Sequence, residues 1–159
     1  MLKMSKCIFI SLLFFNSLWA ASQISNLWTG YAYWSYDNSP MRCPLMKVKF
    51  SEDEGHFNRE MGFLDCDMLG MELPPFSLNK NSKGELFSPQ GVNVGLITSD
   101  SLEMEEAYDE NVKIKVSMKS KGNSADYLET WYKNSSPKEI IYVIKARLFK
   151  GGSFEKLEN

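Results

Sequence analysis

Apolar and polar residues alternate over several stretches of the chain, the pattern of strands that bury one face. In residues 112–119, Val112, Ile114 and Val116 alternate with lysines and a serine, which predicts a half-buried strand with a basic outer face. A turn at residues 109–111 would pair this strand with residues 102–108. Met104 would then face Val116, on the buried side of the pair.

The same alternation predicts a last hairpin near the C-terminus. Residues 126–133 and 138–150 carry the two strands, and residues 134–137 form the turn. The residues expected to share the buried face of the second strand are Ile140, Tyr142, Ile144, Ala146 and Leu148. Pairing Lys133 with Lys138 places Glu129 opposite Tyr142, on that buried face.

Repeated short strands predict an all-β fold. An aromatic strand at residues 27–34 ends at residues 37–40, and a further strand at residues 91–97 contains glycines that allow a bend or a close approach. No long helical pattern occurs, and about eight or nine strands follow one another through short turns. We therefore expect a single antiparallel up-and-down β-barrel, with a β-sandwich as the alternative, because both use the same alternation.

The first 20 residues have the layout of a secretory signal peptide. Lys3 and Lys6 precede an apolar run at residues 7–15, and small residues follow from Ala20. The run is too short to span a bilayer. Cleavage after Ala20 is the expected site, although cleavage after Ser22 also suits the small-residue rule. Residues 21–159 then form one domain in a secreted or periplasmic protein.

Charge and composition exclude several classes of partner. Without the leader and its two lysines, the chain keeps 16 basic residues against 20 acidic ones, a formal net charge of −4. This acidic balance argues against a nucleic-acid partner and against a polybasic membrane anchor. The content of 43% hydrophobic and 13% aromatic residues argues against disorder.

Two cysteines remain after removal of the leader, and they predict a disulfide in an exported protein. Setting Cys43 opposite Cys66 aligns the alternating runs at residues 46–50 and 57–63 across the turn at residues 51–56. The resulting cross-strand pairs are Met46 with Phe63, Val48 with Met61, Lys49 with Glu60, and Leu45 with Leu64. Apolar residues then meet apolar residues and a base meets an acid. The alternative is two free thiols.

The segment Leu27-Trp28-Thr29-Gly30-Tyr31, followed by an antiparallel meander, resembles the opening of bacterial lipocalin-like barrels of the calycin group. The order here is Trp28-x-Gly30, whereas true lipocalins have Gly-x-Trp. The resemblance implies a closed barrel with a central apolar cavity. It also implies that Trp28 packs across the barrel floor and that Gly30 lets the first strand bend.

The sequence contains few residues for catalysis or metal binding. His56 is the only histidine and falls in a polar turn, where an ordinary turn role outweighs a catalytic one. No nucleotide-binding fingerprint occurs, and we expect neither a cofactor nor a metal site. Acidic residues cluster at positions 100–110, but their spacing is not that of an EF-hand calcium loop, so a solvated edge strand is expected there.

Two carboxylates fall on faces that the alternation predicts to be buried. Glu106 shares a face with Met104 and Ile114, and Glu129 lies on the buried face of the last hairpin. A buried acid must be paired or protonated, and can mark a ligand site. The alternative is a β-bulge near residues 105–107 that turns Glu106 outward, with Glu129 at a rim.

These observations support three hypotheses about function. The first is a barrel that binds a small apolar or amphipathic ligand inside. Its candidate binding residues are Trp28, Trp34, Glu106, Glu129, Trp131 and Tyr142, although the aromatic ones also fit a plain core role. The second is a protein-interaction module or enzyme inhibitor, acting through loops at residues 37–42 and 79–88. The third, a hydrolase using Glu106 and Glu129 as a carboxylate pair, is the least favoured, so no enzyme is expected.

Overall fold

The computed structural model describes residues 21–135 and 139–151, and every regular element in these residues is a β-strand. The predicted signal peptide, residues 1–20, lies outside the described residues. The strands are β1 (Leu27–Tyr36), β2 (Ser39–Glu52), β3 (His56–Cys66), β4 (Leu69–Glu72), β5 (Phe76–Lys80), β6 (Glu85–Phe87), β7 (Asn93–Ile97), β8 (Ser101–Ala107), β9 (Val112–Lys121), β10 (Ser124–Lys133) and β11 (Glu139–Lys150). No helix in the described part of the chain is long and apolar enough to cross a membrane.

The strands form one antiparallel sheet that closes on itself. Consecutive strands pair throughout except for β4 and β5, which both pair with β3, and β1 pairs with β11, so that hydrogen bonds run around a ring. This confirms the all-β, up-and-down, barrel-like architecture. The sequence predicted eight or nine strands, whereas the described residues contain 11. One reason is that Pro74 and Pro75 divide β4 from β5, which lie end to end along the same edge of β3.

The register of β8 and β9 is the predicted one. Met104 is opposite Val116 and Glu105 is opposite Lys115. In the last hairpin, however, Glu129 is opposite Ile144 rather than Tyr142, and a bulge follows Trp131. A shift of two residues keeps Glu129 on the inner face, because side chains alternate with a period of two.

Two further expectations for the last hairpin need correction or fall outside the structure. Ile140 was expected on the buried face but is 62% exposed, since the bulge after Trp131 changes the register beside the turn. Lys138, the expected partner of Lys133, lies outside the described residues.

The cysteine hairpin forms, with its predicted disulfide and a different register. Cys43 and Cys66 are bonded, but Met46 is opposite Leu64 and Val48 is opposite Gly62. The predicted pairs of Met46, Val48 and Leu45 are therefore wrong by one residue. The cause is a bulge between Lys49 and Phe50 in the ladder, which exposes Met61 at 40%. The expected contact between Lys49 and Glu60 survives as an ion pair of 2.5 Å.

The first strand approaches the last one closely at Gly30. A Cβ atom on Gly30 would lie 1.9 Å from the carbonyl oxygen of Arg147 on β11, so that only glycine permits this approach of the two backbones. The β1–β2 register shifts between Gly30 and Ala32, and the strand bends there.

The turn between β1 and β2 is shorter than expected. Only Asp37 and Asn38 form it, with φ of 48° and 59°, the left-handed conformation of a tight hairpin.

The residues before β1 close one end of the ring, here called the floor. Ile24 and Trp28 are fully buried, and the Trp28 indole donates a hydrogen bond of 2.8 Å to the Ile24 carbonyl. Beside them, Glu52 accepts bonds from the backbone and side chain of Ser22 and pairs with Lys80 at 2.5 Å. Burial alone would raise the pKa of Glu52, but these partners lower it, so the carboxylate stays charged.

Candidate functional site

A buried ion pair crosses the interior of the ring. Nη1 of Arg59 on β3 lies 2.5 Å from Oε2 of Glu129 on β10, and both side chains are 0% exposed. The two strands are not neighbours in the ring, so the pair joins opposite walls. Since water is excluded at this position, each charge depends on the other for its stabilisation.

Glu129 receives two further hydrogen bonds from its own strand. The Tyr127 hydroxyl donates to Oε2, and the Trp131 indole donates to Oε1 over 2.6 Å. The period of two along a strand places these three residues on the same inner face. Burial, together with the charge of Glu129, raises the pKa of Tyr127 well above its usual value. Tyr127 therefore remains a protonated donor.

One nitrogen of the Arg59 guanidinium has no hydrogen-bond partner. Nη1 bonds to Glu129 and to the Tyr127 hydroxyl, and Nε donates to the Pro74 carbonyl over 2.9 Å. The guanidinium carbon lies 4.9 Å from the centre of the Phe76 ring. Nη2 is buried without a hydrogen-bond partner, and a buried donor without a partner costs about 1–3 kcal/mol.

Arg59 lines a cleft of about 310 Å³ on one side of the ring. The strands of the ring are shorter on the side of the cleft. Strand β6 has 3 residues and β10 has 10, which correspond to lengths of roughly 10 and 33 Å at about 3.3 Å per residue. Other residues that line the cleft include Pro74, Phe76, Met104, Glu106, Tyr108 and Ile114. Most of the lining is therefore apolar, and Arg59 and Glu106 contribute the charged groups.

Glu106 points toward the interior, as the alternation predicts. It is opposite Ile114 in a ladder without a register shift, so the bulge of the alternative interpretation is absent. The side chain is half-buried, and this burial raises the pKa of the Glu106 carboxyl. The carboxyl lines the same cleft as Arg59.

The structure brings most of the candidate aromatic residues together and sets one apart. Trp131 stacks on Tyr142 at 5.1 Å and meets Tyr108 at 4.9 Å between ring centres, and Trp34 lies 6.1 Å from Tyr142. This row reaches the cleft through Tyr108. Trp28 lies apart from the row, at the floor.

Glu129 is enclosed by its partners, whereas Glu106 is open to the cleft. Oε2 of Glu129 is occupied by Arg59 and Tyr127, and Oε1 by Trp131. The cleft lining includes Arg59 but not Glu129. Glu129 is therefore part of the interior hydrogen-bond network, whereas Glu106 is placed to contact a ligand in the cleft.

The remaining sequence candidates lie on the surface. His56 was expected in a polar turn but is the first residue of β3, where its Nδ1 lies 3.2 Å from Asp53 of the preceding turn. Two of the acidic residues at 100–110 contact lysines of β9, Asp100 with Lys119 at 2.7 Å and Glu105 with Lys113 at 3.9 Å. No group of three or more metal-ligating side chains occurs among the described residues.

A second groove, of about 410 Å³, lies on the outer surface of the sheet, and is called here the outer groove. It is defined by Tyr31, Tyr33, Leu128, Lys145 and Arg147, among others. Tyr33 is 49% exposed and Leu128 is 39% exposed. The loops expected to carry protein contacts are shorter than predicted, because residues 39–42, 79–80 and 85–87 belong to strands.

Sequence reasoning overlooked Arg59. Its signal was available, because Arg59 follows Phe57 by two residues and shares its inner face. Its partner could not be identified, since Glu129 lies 70 positions away along the chain. No protein-family model and no curated protein matches the chain. The resemblance to lipocalin-like barrels is therefore limited to the barrel-like architecture.

Proposed function

We propose that this protein is an exported β-barrel that binds a small apolar or amphipathic ligand in the cleft between β5 and β8. The observation that carries the proposal is the cleft of about 310 Å³, with apolar walls and two charged side chains, Arg59 and Glu106. Small-molecule sites are usually concave and mostly apolar, with a few convergent polar groups, and have volumes of about 300–1,000 Å³. A ligand-binding interior is also what the lipocalin resemblance implies.

The aromatic row supports this proposal. Tyr108 is 56% exposed and lines the cleft, while its ring meets Trp131 behind it. An exposed aromatic ring backed by a packed one gives an apolar ligand a rigid surface to contact. Of the predicted binding residues, Glu106 lines the cleft, and Arg59 and Tyr108 are added to it, while Trp131 and Tyr142 support Tyr108 through the aromatic row.

Export is the second part of the proposal. The disulfide between Cys43 and Cys66 supports an oxidising compartment, because disulfides persist mainly outside the cytosol. The signal-like pattern at residues 1–20 supports the same location, secreted or periplasmic. Mass spectrometry of the native N-terminus tests it, with a mature chain beginning at Ala21 as the expected result.

Native mass spectrometry tests the binding function directly. The protein is purified from its natural compartment and weighed before and after denaturation, and we expect a small mass that is lost on denaturation. Ala107→Trp places an indole in the cleft at an exposed position and should abolish the extra mass. Asn123→Trp, in the exposed β9–β10 turn, is the matched control and should retain it. An extra mass that survives Ala107→Trp would place the ligand elsewhere.

A protein-binding role through the outer groove is the second candidate. Tyr31 and Tyr33 are 38% and 49% exposed on the same face, and tyrosines are enriched in protein interfaces. Replacing both with serine should abolish capture of a partner from the extracellular fluid. Met68→Ser is the matched control, since Met68 is 82% exposed outside this groove. Equal capture by both variants would contradict this role.

A further inference from the structure

The unpartnered nitrogen of Arg59 indicates which chemical group a cleft occupant must present. Nη2 is the remaining donor of a side chain whose other nitrogens are bonded to Glu129, Tyr127 and Pro74. Arg59 is held from both sides of the ring, so the guanidinium cannot easily turn to find another acceptor. The Arg59 side chain is 0% exposed, so a ligand oxygen that moves the adjoining cleft lining aside and accepts from Nη2 would complete its hydrogen bonds.

The charges around the cleft argue against an anionic ligand. The positive charge of Arg59 is already compensated by Glu129 at 2.5 Å. Glu106 adds a carboxyl that lacks a hydrogen-bond or ion-pair partner among the described residues, so the local balance is negative when it is ionised. Beyond Glu106, Lys113 and Glu105 lie 3.9 Å apart and compensate each other. A second carboxylate would meet Glu106 in a partly desolvated site, which is unfavourable.

We infer that the cleft takes an uncharged ligand with an apolar body and an oxygen acceptor, such as a ketone or ester carbonyl, that bonds to Nη2 of Arg59. This inference rests on the proposed function and specifies its ligand class. Pro74, Phe76 and Met104 contact the apolar body, and Glu106 sets the preference against anions. Pairing a buried donor contributes roughly tenfold or more in affinity over an isosteric ligand without the acceptor.

Three probes of similar shape test this inference on the intact mature protein. Acetophenone offers a carbonyl oxygen, α-methylstyrene replaces that oxygen with a methylene group, and benzoate replaces the methyl ketone with a carboxylate. Titration is followed by the indole N–H signal of Trp131 in nitrogen-15 NMR spectra, because Trp131 bonds to Glu129 beside the site. We expect acetophenone to bind at least about tenfold more tightly than α-methylstyrene, and more tightly than benzoate.

The Glu106→Gln variant tests the charge argument separately. It removes the negative charge at the cleft, so the disadvantage of benzoate relative to acetophenone should shrink by at least about threefold. Benzoate as the tightest of the three ligands of the unmodified protein would overturn the inference, as would equal binding of α-methylstyrene and acetophenone. In both cases the proposed binding function would stand. Absence of binding by all three probes, together with an unchanged native mass on denaturation, would overturn the inference and the proposed function together.

Discussion

Replacing Glu129 with leucine would leave the Arg59 guanidinium buried without its counter-ion. Both side chains are 0% exposed, and Tyr127 and Trp131 would lose the same acceptor. Removing one partner of a buried pair costs about 3–5 kcal/mol. Because domains of this kind have an unfolding free energy of about 5–15 kcal/mol, the loss would be a large fraction of the total.

Urea unfolding measures this loss, with tryptophan fluorescence as the signal. With a slope of about 2 kcal/mol per molar, a loss of about 4 kcal/mol lowers the midpoint by about 2 M. Glu139→Leu is the matched control. Glu139 also pairs with a cation, Lys133, at 2.9 Å, but both side chains are exposed. This control should cost at most about 1 kcal/mol.

A double variant separates the loss of the pair from the loss of packing. Replacing Arg59 with methionine together with Glu129→Leu removes both charges, and such exchanges are often close to neutral. We expect the double variant to be more stable than Glu129→Leu alone. If Glu129→Leu costs less than about 1 kcal/mol, or if the double variant is the less stable of the two, the interior does not depend on a buried pair and the reasoning fails.

Three further predictions concern the scaffold and the cleft. Gly30→Ala should cost at least about 2 kcal/mol in urea unfolding, because the added Cβ meets backbone at 1.9 Å, whereas Gly55→Ala, where no atom lies within 4 Å, should change stability by less than about 0.5 kcal/mol; similar losses would contradict the close approach. Replacing Cys43 and Cys66 with serine should lower the unfolding free energy by about 3 kcal/mol, and reduction of the unmodified protein should match it. Burial raises the pKa of Glu106. At a pH just above the ordinary glutamate pKa, the folded state therefore keeps a proton on Glu106 that the unfolded state has lost, and the stability of the fold falls as the pH rises through that range. Glu106→Gln removes this slope, so the variant should be the more stable at neutral pH, and a stability difference that does not shrink on acidification would contradict the burial.

Alternation was a sound guide to which face a residue occupies. The β8–β9 pairing could be read from the sequence because a short turn fixes its register and one face is apolar apart from Glu106. Glu129 was placed on the inner face although its partner was misplaced by two residues. An even error in register preserves the face, which is why inward and outward assignments survive where individual pairs do not.

The bulges beside Lys49 and Trp131 were beyond sequence reasoning, and both changed a predicted pairing. Around Lys49 and Phe50 the ladder gains one residue on β3, so Met61 turns outward and Leu64 takes the place expected for Phe63. The alternation of Phe57, Met61 and Phe63 is equally regular in both arrangements. A bulge is coupled to the twist of the sheet around the whole ring, which no local sequence pattern records.

The inward-facing acids differ in whether they have a cationic partner, and this difference distinguishes structural residues from those of the candidate site. Two acids on the inner side have a cation within 2.5 Å, Glu129 with Arg59 and Glu52 with Lys80. Glu106 has no such partner among the described residues, and the raised pKa of its carboxyl has burial as its cause. A structural role favours paired charges, because an unpaired buried charge costs stability without return. Glu106, whose carboxyl is unpaired, and Arg59, which has a buried nitrogen without a partner, both line the same cleft, and for this reason the cleft, rather than the packed floor, is the place to look for a ligand.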